Sequence, residues 1–201
     1  MHCYYIIYKP FQVLSQFTSQ DGKQTLKDFF NVPGDVYAVG RLDFDSEGLL
    51  ILTNDKQMNH HLLNPSFEHE REYLVQVDGD IDQSAVVSLQ SSVQINIDGK
   101  LYKTKKCFAE KLIVAPEVPE RNPSIRFRKN IPTSWVRLIL TEGKNRQVRK
   151  MTAKVGFPTL RLIRWRIEQV TLNGLQPGEM REMHKQEMYH LLGLDEKSFN
   201  R

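Results

Sequence analysis

The chain has 201 residues, 40% of them apolar and 26% charged, which supports one sizeable core or two closely joined halves and excludes a disordered polypeptide. No stretch approaches the ~20 apolar residues that span a bilayer as a helix, and two cysteines, Cys3 and Cys107, supply neither a disulfide framework nor a four-ligand zinc site. The formal net charge of +4 conceals a division: residues 100–166 hold 18 Lys or Arg against 4 Asp or Glu, and the remainder is acidic. A basic half beside an acidic half suits a polyanionic partner, though a solvated basic face without a partner has the same composition. Residues 1–9 lack a basic leader, a long apolar core and a small-residue cleavage site, so a signal peptide is not expected and a reducing cytoplasm is.

In chain order, Tyr4–Tyr8 is aromatic and β-branched and reads as a strand that Pro10 ends. Val13–Phe17 reads as extended. Thr25–Phe30 reads as a short helix and Pro33-Gly34 as a turn. Short strands follow at Tyr37–Val39 and Leu49–Thr53, then a helix over Lys56–Leu63 that stops before Asn64-Pro65. Tyr73, Val75 and Val77 alternate with polar neighbours, as on a half-buried strand, and Ser84–Leu89 reads as a helix. Strands are expected at Leu101–Phe108, Leu112–Ala115, Trp135–Thr141, Leu160–Ile167 and Gln169–Leu172. Helices are expected at Asn145–Val155 and His184–Leu192. Residues 116–133 carry four prolines and many charges and read as a long loop, a length usually reserved for function. Strands outnumber helices without strict alternation, so the class is α+β with a mixed, mainly antiparallel central sheet flanked by helices and loops.

Three segments concentrate polar chemistry. Gly40-Arg41-Leu42-Asp43-Phe44-Asp45-Ser46-Glu47-Gly48 puts three acids within five residues on a loop framed by glycines, leading into the apolar run Leu49–Leu52. A solvated turn, a metal loop and a helix cap are all open readings, but the spacing is wrong for a calcium loop. Asp43, between Leu42 and Phe44 and beside Arg41, suits catalysis better than solvation. On a helix, Val148, Met151, Thr152 and Val155 share one face and Arg146, Arg149 and Lys150 another. That offers three cations to phosphates or to a buried acid, or only to solvent. Arg161, Arg164 and Arg166 extend the basic set. Tyr73, in Arg71-Glu72-Tyr73-Leu74-Val75, is either a packed core tyrosine or a stacking face for a splayed base.

These segments resemble one family. Gly40-Arg41-Leu42-Asp43 with Ser46-Glu47-Gly48-Leu49-Leu50 is similar to its catalytic motif, and Tyr8-Lys9-Pro10 to its N-terminal motif. Tyr73 in its strand, Glu142–Met151, and Gly156–Arg164 follow in matching order and spacing. The chain is identified on this ground as a member of the RsuA/RluB/RluE/RluF group of pseudouridine synthases, with the match running from about Tyr4 to about Met183. Residues 9–18 and the segment from Asn122-Pro123 to Lys129–Trp135 resemble the branch acting on large-subunit (23S) ribosomal RNA. Departures from the usual pattern are Phe11, Gln12, Phe44 and Arg71.

The resemblance implies a pseudouridine synthase fold with its cleft across the sheet. It implies a single catalytic domain over residues 1–201, made of two subdomains sharing one sheet, with no S4-type RNA-binding domain. The reaction it implies detaches uracil from its ribose, rotates it and rejoins it through carbon, without metal, nucleotide or redox cofactor. Asp43 takes the place of the acting carboxylate, Tyr73 that of the tyrosine against the base, and Arg149 that of the guanidinium holding the carboxylate charged. Arg41, Lys9, Lys144, Asn145, Arg146, Lys150, Arg161 and Arg164 are the expected RNA contacts. The expected partner is ribosomal RNA, reached by flipping out the target base, for a monomeric protein with no membrane association. Competing expectations are a non-catalytic RNA-binding or ribosome-assembly protein, a synthase acting on small-subunit or transfer RNA, and a hydrolase using Asp43 with Asp45.

Overall fold

A computed structural model describes residues 2–20, 22–125 and 132–194. The elements are β1 Tyr4–Lys9, β2 Tyr37–Ala38, β3 Glu47–Thr53, α1 Lys56–Leu63, β4 Arg71–Asp78, α2 Gln83–Gln90, β5 Gln94–Ile97 and β6 Lys100–Lys103. They continue as β7 Phe108–Leu112, β8 Thr133–Leu140, α3 Gln147–Lys154, β9 Thr159–Ile167, β10 Val170–Thr171, β11 Met180–Glu182 and α4 Lys185–Leu191. The chain divides into two compact units, Met1–His69 with Arg164–Arg201, and Glu70–Ile163. The class is α+β, as composition and periodicity indicate.

In the first unit β1 pairs antiparallel with β3 and β11, β2 with β3, and β10 with β9. Every residue of β1 and of β3 is buried, so these strands are covered on both faces and their sequences run apolar instead of alternating. Ile7, Val13, Leu26, Phe30, Leu50 and Leu52 form the core here. Asp55 caps α1 by accepting from the amides of Gln57 and Met58, and it also accepts from the hydroxyls of Tyr4 (2.8 Å) and Tyr189 (2.7 Å). One buried carboxylate thereby joins β1, α1 and α4. Burial works against its charge, but the bonds from Tyr189, Tyr4 and Met58 outweigh burial and hold its ionisation below the ordinary carboxylate range. From the last turn of α1, His61 shares a hydrogen bond with His69 (2.8 Å) and His69 with Glu168 (2.9 Å).

In the second unit β4 pairs antiparallel with β8, and β8 with β7. β4 and β8 alternate buried and partly exposed residues, the pattern of strands with one face on a core. That core combines Val75, Val77, Leu89, Val136, Leu138 and Met151. β5 and β6 form a separate two-stranded hairpin.

Several sequence expectations shift. Val13–Phe17 forms no strand: Leu14 makes only an isolated bridge to Thr25. The helix expected over Thr25–Phe30 is a single 3-10 turn, Leu26–Asp28, closed by a Thr25–Asp28 capping box. The strand read over Leu101–Phe108 splits between β6 and β7, and Leu112–Ala115 is only the end of β7. Residues 126–131 of the expected long loop, and with them part of the 122–135 resemblance, lie outside the described residues.

Candidate active site

The loop between Gly40 and Gly48 is fixed along its length within the first unit. Both glycines have positive φ, +72° and +115°. At Gly48 a Cβ would lie 2.6 Å from the backbone nitrogen of Arg164 and closer still to its oxygen, so the backbone of β9 passes where a side chain would stand. The Arg164 guanidinium donates through Nε to the Leu49 carbonyl (2.8 Å) across the same contact. Ser15 clamps Leu42 from both sides, its Oγ accepting from the amide (3.0 Å) and donating to the carbonyl (2.8 Å). The Gln12 amide donates to the Phe44 carbonyl (2.9 Å) and the Ser46 amide to the Asp43 carbonyl (3.1 Å). Asp43 therefore sits at the start of a tight turn whose backbone is held before, within and after it. Its side chain is half-buried and Arg41 beside it is exposed.

Under this loop lies Lys9. It has no exposed surface, and its Nζ donates to the carbonyls of Pro10 (2.8 Å) and Val13 (2.7 Å). Burial pulls its pKa down to about 7, against the counter-pull of Glu47, Asp45 and Asp43. The neutral amine has two hydrogens, matching the two carbonyls. Glu47 is buried too and accepts from the Tyr8 hydroxyl (3.3 Å). Among the described residues no group of three or more His, Cys, Asp or Glu is arranged to hold a metal ion.

In the second unit the residues of the 142–151 motif gather at the start of α3. Glu142 is buried and accepts from the Tyr102 hydroxyl (2.5 Å), the Lys105 amide (2.9 Å) and Gln147 Nε2 (2.6 Å). Gln147 Oε1 accepts in turn from the Lys144 amide (3.0 Å). This network closes the 142–147 turn and places Lys144, Asn145 and Arg146 at the surface. Arg146 takes the left-handed conformation, φ 53°, immediately before the helix. The helix buries Val148, Met151 and Thr152, the face its spacing indicates, and leaves Arg149 and Lys150 half-exposed. Tyr73 on β4 is also half-buried, packed at the margin of the core.

The expected site residues thus fall into two sets. Asp43, Arg41, Lys9 and Arg164 belong to the first unit; Tyr73, Lys144, Asn145, Arg146, Arg149, Lys150 and Arg161 belong to the second. Three of the expected RNA contacts are placed elsewhere than at the surface. Lys9 is enclosed, Arg164 is buried against β3, and Arg161 is buried with its Nη2 donating to the Pro119 carbonyl (2.8 Å). Sequence reading missed Ser15 and Gln12 as supports of the Asp43 turn and Gln147 as the brace of the 142–147 turn. Only Gln147 left a signal, its position three residues after Lys144 at a helix start.

An α+β chain with a glycine-framed carboxylate turn and a braced cationic helix start has known counterparts. The chain belongs to the RNA pseudouridylate synthase family, an isomerase family whose sequence model matches residues 3–154. It is 47% identical over 178 residues to "Ribosomal large subunit pseudouridine synthase E" of Vibrio parahaemolyticus, a match covering 89% of this chain and 72% of that one. It is 46% identical over 178 residues to the protein of the same name from Xanthomonas campestris pv. campestris, covering 88% and 92%. Among solved structures, "Crystal structure of pseudouridylate synthase" superposes with a TM-score of 0.75 at 27% identity, over 95% of this chain and 74% of that one.

Proposed function

We propose that this chain converts a uridine of large-subunit ribosomal RNA to pseudouridine, with Asp43 as the acting carboxylate. The observation that carries the reading is the Asp43 turn: its backbone is pinned by Ser15, Gln12 and Ser46 while its side chain stays half-open. A carboxylate that acts on ribose C1′ or uracil C6 needs fixed placement and exclusion of water once substrate is bound. The relatives named as large-subunit synthases support the choice of substrate.

In the reaction the bond between C1′ and N1 breaks and one between C1′ and C5 forms. The proton lost from C5 balances the one gained at N1, so no oxidant or group donor enters. Desolvation disfavours a charged carboxylate, so a cation must hold it ionised; the motif resemblance gives that role to Arg149, and to Tyr73 the role of the tyrosine that meets the base and assists removal of the C5 proton. Arg41 holds the extruded nucleotide. Lys144, Asn145, Arg146 and Lys150 hold phosphates, and their binding energy offsets the roughly few kcal/mol of unstacking that base flipping costs. Lys9, Arg161 and Arg164 support the loops instead of touching RNA. Among the described residues no helix is long and apolar enough to cross a membrane, and the enzyme acts as a cytoplasmic monomer.

Mapping pseudouridines in ribosomal RNA from cells lacking the gene tests the substrate assignment. One large-subunit position should revert to uridine and return on complementation. Loss confined to small-subunit or transfer RNA would overturn it.

A further inference from the structure

The β5–β6 hairpin has a feature that neither the fold nor the Asp43 turn requires. Its inner face holds Ile95 paired with Tyr102. The opposite face holds Gln94 paired with Lys103 and Asn96 paired with Leu101, all four exposed. Leu101 is 73% exposed, so it packs into no core. Lys103 shares its face, Lys100 is paired with Ile97 on the face of Tyr102, and Lys105 and Lys106 follow the hairpin; all four lysines are exposed. The single acid of the hairpin, Asp98 in its turn, accepts from Asn145 Nδ2 (3.3 Å).

The hairpin is anchored rigidly. Val93 and Thr104 close its base through two hydrogen bonds (2.9 and 3.0 Å), and Tyr102 and the Lys105 amide both donate to Glu142. Lys144 Nζ lies over the Tyr102 ring, 5.2 Å from its centre. These contacts bring the lysines of the hairpin beside Lys144 and Asn145 at the start of α3. The outcome is a two-stranded ribbon with exposed lysines on both faces, Lys103 beside the amides of Gln94 and Asn96 and Lys100 on the side of Tyr102 and Lys144. Such a ribbon matches the wide, shallow groove of an A-form RNA helix, with lysines reaching phosphates and amides reaching 2′-hydroxyls.

We propose that the β5–β6 hairpin is a docking arm for a helical segment of the ribosomal RNA substrate, gripping backbone through Lys100, Lys103, Lys105 and Lys106. The identity of the RNA rests on the function proposed above; the presence of an RNA-binding arm does not.

The test combines Lys100→Ala, Lys103→Ala and Lys106→Ala, leaving Lys105, whose amide supports Glu142. A control combines Lys27→Ala, Lys56→Ala and Lys185→Ala, exposed lysines of the other unit with equal charge loss. Binding to a large-subunit ribosomal RNA transcript is measured directly across a salt series, alongside turnover. The hairpin variant should bind at least tenfold more weakly at low salt. The slope of log affinity against log salt should flatten by about one per lysine removed. KM should rise while kcat at saturating RNA stays within twofold. The control should differ from the parent by less than threefold. Equal effects of the two triple variants would overturn the arm by reducing it to net charge. So would a hairpin variant that aggregates yet keeps the parental salt slope, since its lysines would then only guard a strand edge. A parent that binds the transcript but forms no pseudouridine would sink the proposed activity while leaving the binding comparison intact.

Discussion

Lys9 has two backbone carbonyls as partners and three carboxylates nearby, yet burial dominates its ionisation. The unfolded chain holds its proton up to the ordinary lysine value near 10.5, whereas the folded protein gives it up near 7. Between those values the unfolded state binds more protons, so stability rises with pH across the window. Below about pH 7 the charged amine is buried at full cost. In Lys9→Met this contribution vanishes. Denaturation from pH 7 to 10 should show the parent gaining stability relative to the variant by up to about 1.4 kcal/mol per pH unit. Parallel profiles would show that Lys9 stays charged in the fold. The sequence displays Lys9 only as a basic residue next to proline, the same appearance as a phosphate contact. Its enclosure depends on residues 10–15 folding over it, which no local pattern encodes. The turn that holds Asp43 left a local mark instead, because Gly40 and Gly48, both with positive φ, frame it in the sequence itself.

At the scale of elements, β3 and β9 meet at Gly48 so closely that the glycine is a packing residue as much as a turn residue. Gly48→Ala forces a side chain against the Arg164 backbone in a conformation, φ 115°, that alanine rarely adopts. It should cost about 3 kcal/mol or more in chemical denaturation, and the Asp43 turn that leads into β3 should lose its register. A cost below about 1 kcal/mol would show that β9 yields easily. Elements with strong period or clear stops were readable: α1 matches its expected span because Asp55 caps it and Asn64-Pro65 ends it. β5 and β11 were not, since a four-residue and a three-residue strand with charged or polar members take their form from partners elsewhere in the chain. Val13–Phe17 has strand composition without a pairing edge, so hydrogen bonds of Leu14 and Gln16 to local partners replace a ladder.

Over the whole molecule, the division of charge assigns the parts their work. The acidic share contains the glycine-framed carboxylate, and the basic share, residues 100–166, contains the second strand of the β5–β6 hairpin and the start of α3. Composition announced that division, and the fold adds that several of the basic residues, Arg161 and Arg164 among them, are internal supports. Counting charges therefore overstates the basic surface open to a polyanion. The role proposed for Asp43 is to act while the bond from C1′ to N1 breaks and the bond from C1′ to C5 forms. Tritium release from a C5-tritiated large-subunit ribosomal RNA transcript, compared between the parent protein and Asp43→Asn at matched RNA occupancy, tests it most directly. The parent should release label stoichiometrically with pseudouridine formed, and Asp43→Asn should bind the transcript within a few-fold of the parent and release none. Release by Asp43→Asn at the parental rate would contradict the account.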